Sequence, residues 1–259
     1  MKKILAAILL LLLSPLHAAV VGRDVSYQAG DTVLKGYLAW DDAIKGQRPG
    51  VLVVHEWWGH NSYARKRADM LAALGYTALA VDMYGNGITA SHPEDAGKFS
   101  GAVRKDLALM TERFNAARNL LNEQPSVNPQ LIAAIGYCFG GSVVLEMARS
   151  GADLAGVVSF HGGLAGLGPV SDHVTAPMLV LTGADDPFVS AESVDNFRND
   201  MDAAGVSYRI ISYPGVKHSF TNPEADSFGK MFDLPLEYNA AADQESWQAM
   251  QDFFREIFR

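Results

Sequence analysis

Cysteine is almost absent from this chain: Cys138 is the only one among 259 residues. A single cysteine cannot form an internal disulfide, which excludes a fold stabilised by disulfide bridges. A free cysteine is most often a small buried apolar side chain and less often a nucleophile. Both interpretations of Cys138 stay open until its neighbours in the sequence are considered.

Clusters of basic residues are also absent, and the net charge is −8 at pH 7. An acidic surface without a lysine-rich or arginine-rich patch disfavours nucleic acids and anionic membranes as partners. No apolar run reaches the roughly 20 residues that a transmembrane helix needs. A small molecule is therefore the expected ligand. The oligomeric state stays open, with a monomer favoured.

The first 19 residues have the pattern of a secretory signal peptide. Two lysines precede an apolar run from Ile4 to Leu13, and small residues follow at Ala18 and Ala19. We expect cleavage after one of these two alanines and export, to a bacterial periplasm. The mature chain is expected to be a single domain over residues 20–259. An uncleaved membrane anchor is the alternative interpretation.

Short apolar runs alternate with longer segments of helical periodicity through the rest of the chain. This alternation predicts an α/β fold with a mostly parallel central sheet and helices on both faces. An antiparallel hairpin of Asp24 to Tyr27 and Thr32 to Trp40 is expected at one edge. The predicted strands are Val51 to His55, Thr77 to Asp82, Leu131 to Gly136, Gly156 to His161, Met178 to Gly183 and Tyr208 to Tyr213. The predicted helices are Tyr63 to Leu74, Lys98 to Leu121, Ser142 to Arg149, Ala191 to Ala204 and Gln244 to Phe258.

The segment Gly136-Tyr137-Cys138-Phe139-Gly140 has the spacing of a nucleophile elbow, with a thiol in place of the usual hydroxyl. It follows a predicted strand and precedes a predicted helix, so the chain must turn sharply at Cys138. The two glycines let the strand and the helix approach closely. The Phe139 N–H, at the start of the helix, is the candidate first oxyanion donor. This context favours a nucleophile over a core thiol.

A cysteine nucleophile on this scaffold needs an acid and then a histidine, in that chain order. His161 and His173 come too early to follow an acid loop, whereas His218 follows the last predicted strand. Asp185 and Asp186 end the strand between and are the two candidate acids. Asp186 is preferred because it precedes a proline, which holds it extended. An ordinary turn is the alternative interpretation of this aspartate pair.

The loop His55-Glu56-Trp57-Trp58-Gly59 carries a carboxylate without an evident structural purpose. In hydrolases of this architecture a loop at this place supplies the second oxyanion donor, which makes the Trp57 N–H the candidate. A charged Glu56 in a dry site is costly, so it is a candidate proton acceptor for Cys138. A solvated surface glutamate is the alternative. The candidate substrate-binding residues are Trp58, Tyr84 and Asn222.

Together these motifs resemble the dienelactone hydrolase family over almost all of the mature chain. The resemblance rests on the Cys138 elbow, the Glu56 loop, the Asp186 turn and the run His218-Ser219-Phe220. It implies an α/β-hydrolase fold, a Cys-His-Asp triad of Cys138, His218 and Asp186, and no metal or organic cofactor. It also implies that Glu56 helps to ionise the thiol only when substrate enters. The expected reaction is hydrolysis of an ester or lactone through a thioacyl-enzyme.

One departure from the family pattern concerns the substrate. Dienelactone hydrolases carry a substrate-binding arginine two residues after the His-Ser-Phe run, where this chain has Asn222. A second such arginine falls near Lys98 and Arg104, either of which is a candidate replacement. The segment Thr221 to Ala242 is expected to lie over the pocket as a lid.

Two alternative functions stay open. One is a general carboxylesterase or thioesterase with an apolar acyl pocket, which the two tryptophans of the Glu56 loop fit equally well. The other lies outside enzymes: a thiol redox sensor using Cys138, or a binding protein on the same scaffold. A sensor would show reversible oxidation of the thiol without turnover of any ester.

Overall fold

The computed structural model describes residues 20–259, so the predicted signal peptide lies outside the described residues. Residues 20–259 form one sheet of eight strands and seven helices. The strands are β1 (Val20–Ala29), β2 (Thr32–Asp41), β3 (Arg48–Val54), β4 (Thr77–Val81), β5 (Val127–Tyr137), β6 (Gly156–Phe160), β7 (Met178–Gly183) and β8 (Tyr208–Tyr213). The helices are α1 (Ser62–Ala73), α2 (Pro93–Arg104), α3 (Leu107–Asn122), α4 (Phe139–Arg149), α5 (Ala191–Ala204), α6 (Ala225–Phe232) and α7 (Ala240–Ile257). None of the helices in this range is long and apolar enough to cross a membrane.

The strands lie in the order β1-β2-β4-β3-β5-β6-β7-β8. β1 and β2 form an antiparallel hairpin at one edge, and β2 also pairs antiparallel with β4. All the other neighbouring strands are parallel. The predicted α/β fold, with a mostly parallel sheet and an antiparallel N-terminal pair, is confirmed. In such sheets, ligands bind beyond the carboxyl ends of the parallel strands.

The core consists of two apolar layers, one on each face of the sheet. Along β3, Leu52 and Val54 belong to one layer, while Val51 and Val53 belong to the other. Helices α2 to α5 pack on the first layer, and α1 and α7 pack on the second. Because both faces are covered, the strands need apolar residues at every position, which explains their continuous apolar runs.

Two local features differ from the sequence prediction. The single helix predicted from Lys98 to Leu121 is two helices, because Asp106 accepts a hydrogen bond from the Leu109 N–H (3.0 Å) and starts α3 afresh. Apolar spacing continues across this break, so periodicity alone does not reveal it. Helix α6 is also absent from the prediction and lies within the segment expected to form a lid. The segment from Thr221 to Ala242 contacts the rest of the domain through an isolated β-bridge between His218 and Leu236.

Candidate active site

The single cysteine lies at a sharp turn between β5 and α4. Cys138 has φ +52° and ψ −115°, a backbone conformation that a non-glycine residue rarely adopts. The flanking glycines are required by close contacts. A Cβ on Gly136 would lie 2.0 Å from the Gly140 carbonyl oxygen, and one on Gly140 would lie 2.3 Å from that of Val54. The turn therefore presents a half-buried thiol at the carboxyl end of the sheet.

His161, which was not predicted to be part of the site, contacts this turn. Its Nδ1 accepts a hydrogen bond from the Cys138 N–H (3.1 Å), and its Nε2 lies 2.7 Å from the Thr221 hydroxyl. Burial lowers the pKa of His161 well below its usual value, so the ring is neutral. Because Nδ1 accepts a hydrogen bond, it carries no hydrogen; Nε2 carries the ring hydrogen and donates it to the Thr221 hydroxyl. The ring is thus a structural support for the elbow.

An imidazole and a carboxylate from two other loops meet beside the elbow. His218, in the loop after β8, donates from Nδ1 to Asp186 Oδ2 at 2.7 Å, and both side chains are buried. The other oxygen of Asp186 accepts the Phe188 N–H at 2.8 Å, which fixes the orientation of the carboxylate. Asp185, the other candidate acid, is exposed.

The electrostatic environment favours a proton on His218. Burial by itself lowers the pKa of this imidazole, but its electrostatic interaction with Cys138 and its hydrogen bond to Asp186 outweigh burial and raise it to about 10. His218 and Cys138 line the same cavity. A histidine held between a thiol and a carboxylate is able to take a proton from sulfur and to return it to a leaving group.

Two residues that line the cavity with Cys138 carry candidate backbone N–H donors. Phe139 is the first residue of α4, where the N–H groups have no intrahelical acceptor and the helix dipole favours negative charge. Trp57 follows β3 in the neighbouring loop, and it lines the cavity together with Phe139 and Cys138. An anionic oxygen held next to the thiol would thus have two candidate donors.

Glu56 is buried, with 2% of its surface exposed, so it is not a solvated surface glutamate. Its Oε2 accepts a hydrogen bond from the Asn222 amide at 2.6 Å. Within the described part of the chain, Oε1 has no hydrogen-bond partner. Burial raises the pKa of Glu56, while the Asn222 bond and the nearby charge of His218 offset only part of this effect. The carboxyl group is therefore biased toward its protonated form.

The thiol opens into a cavity of about 330 Å³, within the size range of small-molecule sites. Arg104, from the end of α2, is the one lysine or arginine side chain among the residues that line it. Its guanidinium donates to Ser100 (3.2 Å) and lies over the Phe139 ring (5.9 Å). The lining residues are Trp57, Arg104, Cys138, Phe139, Ser142, Gly163, Ala165, Phe188, His218, Leu234 and Leu236.

The family model for dienelactone hydrolases matches residues 34–258, nearly the whole described chain. This chain belongs to the dienelactone hydrolase family. The family expected from the motifs is therefore confirmed, and the protein is a dienelactone hydrolase-like hydrolase.

Three similar proteins each align with more than nine-tenths of this chain. The dienelactone hydrolase-like promiscuous phosphotriesterase P91 from metagenomic libraries is 37% identical, covers 92% of this chain and 98% of its own, and has a TM-score of 0.85. Protein usf of Aquifex pyrophilus is 27% identical over 242 residues, or 91% of this chain and 99% of usf. A predicted carboxymethylenebutenolidase of Escherichia coli K12 is 28% identical over 258 residues, or 94% of this chain and 89% of that protein.

In this dienelactone hydrolase family member, the three residues predicted to contact substrate are buried. Trp58 stacks on Phe228 at 4.6 Å between ring centroids, and it is 3% exposed. The Tyr84 hydroxyl donates to the Trp57 carbonyl at 2.9 Å. The Asn222 amide donates a hydrogen bond to the Glu56 carboxyl group. None of these three is among the residues that line the cavity in the described chain.

Several lining residues were missed by sequence reasoning. Leu234 and Leu236 follow α6 and belong to the segment expected to be a lid, but nothing in their local pattern identifies them. Ser142 lies one turn into α4, and its hydroxyl donates to the Gly163 carbonyl at 2.9 Å. Its position four residues after Cys138, on the same helix face, is a signal that was available in the sequence.

Proposed function

We propose that this protein hydrolyses an ester or lactone, with Cys138 as nucleophile, His218 as base and Asp186 as the orienting acid. The observation that carries the proposal is the 2.7 Å bond between His218 Nδ1 and buried Asp186, in the cavity that also contains the elbow thiol. The order of the three residues along the chain is the order used by hydrolases of this architecture.

The reaction proceeds by acyl transfer in two halves. The Cys138 thiolate attacks the carbonyl carbon, forming a C–S bond, and the carbonyl oxygen becomes an oxyanion bound by the N–H groups of Phe139 and Trp57. The C–O bond then breaks, and His218 gives its proton to the leaving alkoxide. In the second half, His218 takes a proton from water, which attacks the thioester. Breaking the C–S bond releases the acid and restores the enzyme.

Glu56 acts as a second proton acceptor for the thiol when substrate enters. It is buried close to His218, and it keeps one oxygen without a partner within the described chain. Asn222, which stands where the family has an arginine, offers only a neutral amide to this carboxylate. Because no ion pair neutralises the resting carboxyl group, burial favours its protonated form, and only the ionised fraction is able to accept the thiol proton.

Replacing Glu56 by glutamine should raise the melting temperature near pH 8 while lowering turnover. A carboxyl with a raised folded-state pKa destabilises the fold as pH rises above its unfolded value, and glutamine removes that cost. We expect a gain of about 2–4 °C near pH 8 that disappears near pH 4, where unfolded carboxyls are also protonated. Thermal melts at the two pH values check this, with the exposed Glu245→Gln variant as the control. A gain of equal size at both pH values would contradict it.

The cavity favours a compact acyl group, and Arg104 gives it one place for an anionic group. Arg104 lines the cavity, whereas Lys98 of the same helix is exposed and does not. Most of the other lining side chains are apolar, which suits a neutral acyl chain equally well. An ester or lactone that carries a carboxylate would place that group toward Arg104 and the reacting carbonyl toward Cys138.

Arg104→Gln is expected to raise KM for a carboxylate-bearing lactone by about fivefold, because a partly exposed ion pair contributes modestly. KM for a neutral aryl ester should change by less than about twofold, since no charge is lost from that complex. Steady-state kinetics with both substrates measure the difference. Lys98→Gln, which removes the same charge outside the cavity, is the matched control. An equal effect of the two substitutions would contradict a role for Arg104.

A second substrate class is favoured by the similarity to P91, whose name describes a promiscuous phosphotriesterase and which aligns over 98% of its length. We propose phosphotriester hydrolysis at the same thiol. The thiolate would attack phosphorus and form a P–S bond, the aryl oxide would leave, and water would then cleave the P–S bond. The two oxyanion donors suit a phosphoryl oxygen as well as a carbonyl oxygen.

A substrate panel tests the proposed function. Purified protein is assayed with an activated short-chain aryl ester, a cis-dienelactone, an acyl thioester and an aryl phosphotriester. Turnover of the ester or the lactone is the expected result, and a preference for neutral esters or thioesters would favour the general esterase alternative. No turnover of any substrate, together with reversible oxidation of Cys138, would overturn the proposal in favour of a redox sensor.

Export is a separate proposal, based on the lysine-led apolar run from Ile4 to Leu13. Cell fractionation followed by N-terminal sequencing tests it. A periplasmic product that begins at Ala19 or Val20 is expected, and an intact N-terminus in the membrane fraction would contradict cleavage.

A further inference from the structure

His55 is a buried histidine outside the proposed triad, and both of its ring nitrogens contact the backbone. Nε2 accepts a hydrogen bond from the Met83 N–H at 3.2 Å. A backbone N–H only donates, so Nε2 carries no proton and Nδ1 does. Nδ1 lies 2.5 Å from the Glu56 carbonyl oxygen and therefore donates to it. Burial lowers the pKa of His55 to about 4, which keeps this neutral tautomer near pH 7.

The Glu56 carbonyl accepts hydrogen bonds from His55 Nδ1 and from the Gly59 N–H (3.1 Å), and these two bonds together set the direction of the Trp57 N–H. The Glu56 carbonyl and the Trp57 N–H are opposite ends of one planar trans peptide, so fixing the carbonyl fixes the N–H. A hydrogen bond to the carbonyl also polarises the amide and strengthens the N–H as a donor. This is the N–H assigned above to the developing oxyanion.

The neighbouring peptide is held in the same way. The Tyr84 hydroxyl donates to the Trp57 carbonyl at 2.9 Å, and its ring packs edge-on against His55 at 4.7 Å. The His55 ring also stacks on Phe139 at 5.7 Å, and Phe139 carries the other candidate donor. One buried imidazole therefore contacts both segments that supply the oxyanion donors.

We propose that His55 is a positioning residue for the oxyanion site, holding the Glu56–Trp57 peptide with its N–H toward the substrate, and that Tyr84 holds the next peptide. This inference rests on the proposed acyl-transfer function. It assigns a role in transition-state stabilisation to two side chains that do not touch substrate. Neither residue is needed for the thiol itself to react.

The test compares His55→Leu with His55→Asn, two side chains of similar size that differ in hydrogen bonding. The asparagine amide is able to take the place of Nδ1 and donate to the Glu56 carbonyl, whereas leucine is not. We expect kcat for an activated aryl ester to fall about 30-fold in the leucine variant and less than about fivefold in the asparagine variant. KM should stay within about threefold, because the loss occurs in the transition state.

Alkylation of Cys138 by iodoacetamide separates positioning from a general structural defect. Displacement of iodide by sulfur forms no oxyanion, so its rate should change by less than about twofold in both variants. Equal kcat values for the two variants, or an alkylation rate that falls in parallel with kcat, would overturn the inference. Circular dichroism establishes that each variant is folded.

Tyr84→Phe provides the test should the leucine variant not fold, since it removes one hydroxyl with little change in volume. Its kcat is expected to fall about fivefold with an unchanged alkylation rate. An unchanged kcat would overturn the proposed positioning roles of both Tyr84 and His55. Failure of the proposed function is distinguishable, because it would leave a Cys138→Ala variant as active as wild type.

Discussion

Replacement of Cys138 by alanine is expected to lower kcat/KM for an activated aryl ester by about 10⁴-fold or more. The substitution removes the proposed nucleophile, and only binding and the two oxyanion donors remain to accelerate attack by water. The side chain is half-buried at the end of β5, so the fold should be kept. Initial rates and thermal melts of the two proteins, measured side by side, check both statements.

Cys138→Ser is the matched control for this prediction. Serine keeps the shape of the elbow and supplies a hydroxyl that needs a stronger base than the thiol does. Its activity should lie below wild type and above the alanine variant. An alanine variant that retains more than about a tenth of the wild-type rate would show that the nucleophile is elsewhere.

Asp186→Asn is expected to lower kcat by about 10³–10⁴-fold with little change in KM. The carboxylate accepts the Nδ1 hydrogen of His218 and stabilises its protonated form, and an amide does so poorly. Because this bond contributes to the raised pKa of His218, the variant should have a lower histidine pKa. NMR titration of the imidazole and steady-state kinetics measure the two effects.

Asp185→Asn removes the same charge one residue away, on an exposed side chain. Its kcat should remain within about twofold of wild type, because surface substitutions away from a buried network have small effects. A similar loss in both variants would mean that the turn or the net charge, and not the bond to His218, is responsible.

The pH dependence of stability has a sign that follows from the raised pKa of His218. Protonated His218 stabilises the fold fully below the unfolded value near 6.5, and this contribution is lost as pH rises toward about 10. Removing Asp186 should therefore reduce the difference in melting temperature between neutral and alkaline solution. The raised pKa of Glu56 acts in the same direction at lower pH.

The parts of the fold that depend on local pattern were predictable. Strands buried on both faces have continuous apolar runs. The glycines around Cys138 indicate a turn, because neighbouring backbone atoms lie too close to them to leave room for a Cβ. The short helix α6 and the break at Asp106 were not predictable. The first has only eight residues, and the second leaves the apolar spacing intact.

The site was predictable where chain order decides it and unpredictable where side-chain direction decides it. His218 and Asp186 were chosen by their order after Cys138, and the structure places them in hydrogen-bond contact. Trp58 and Asn222 were expected at the substrate, yet loop residues can point to either side, and these two are buried and do not line the cavity of the described chain. The contact of His55 with Met83 joins the segments that follow β3 and β4, two strands that are adjacent only in the folded sheet.

Intact-mass spectrometry of the acylated protein is the most direct test of nucleophilic catalysis at Cys138. Protein mixed with a slowly hydrolysed activated ester and quenched in acid should gain the mass of one acyl group. Digestion should place that group on the peptide containing Cys138, and the Cys138→Ala variant should gain nothing. Turnover without any acyl adduct, or an adduct on another residue, would contradict a thioacyl-enzyme at Cys138.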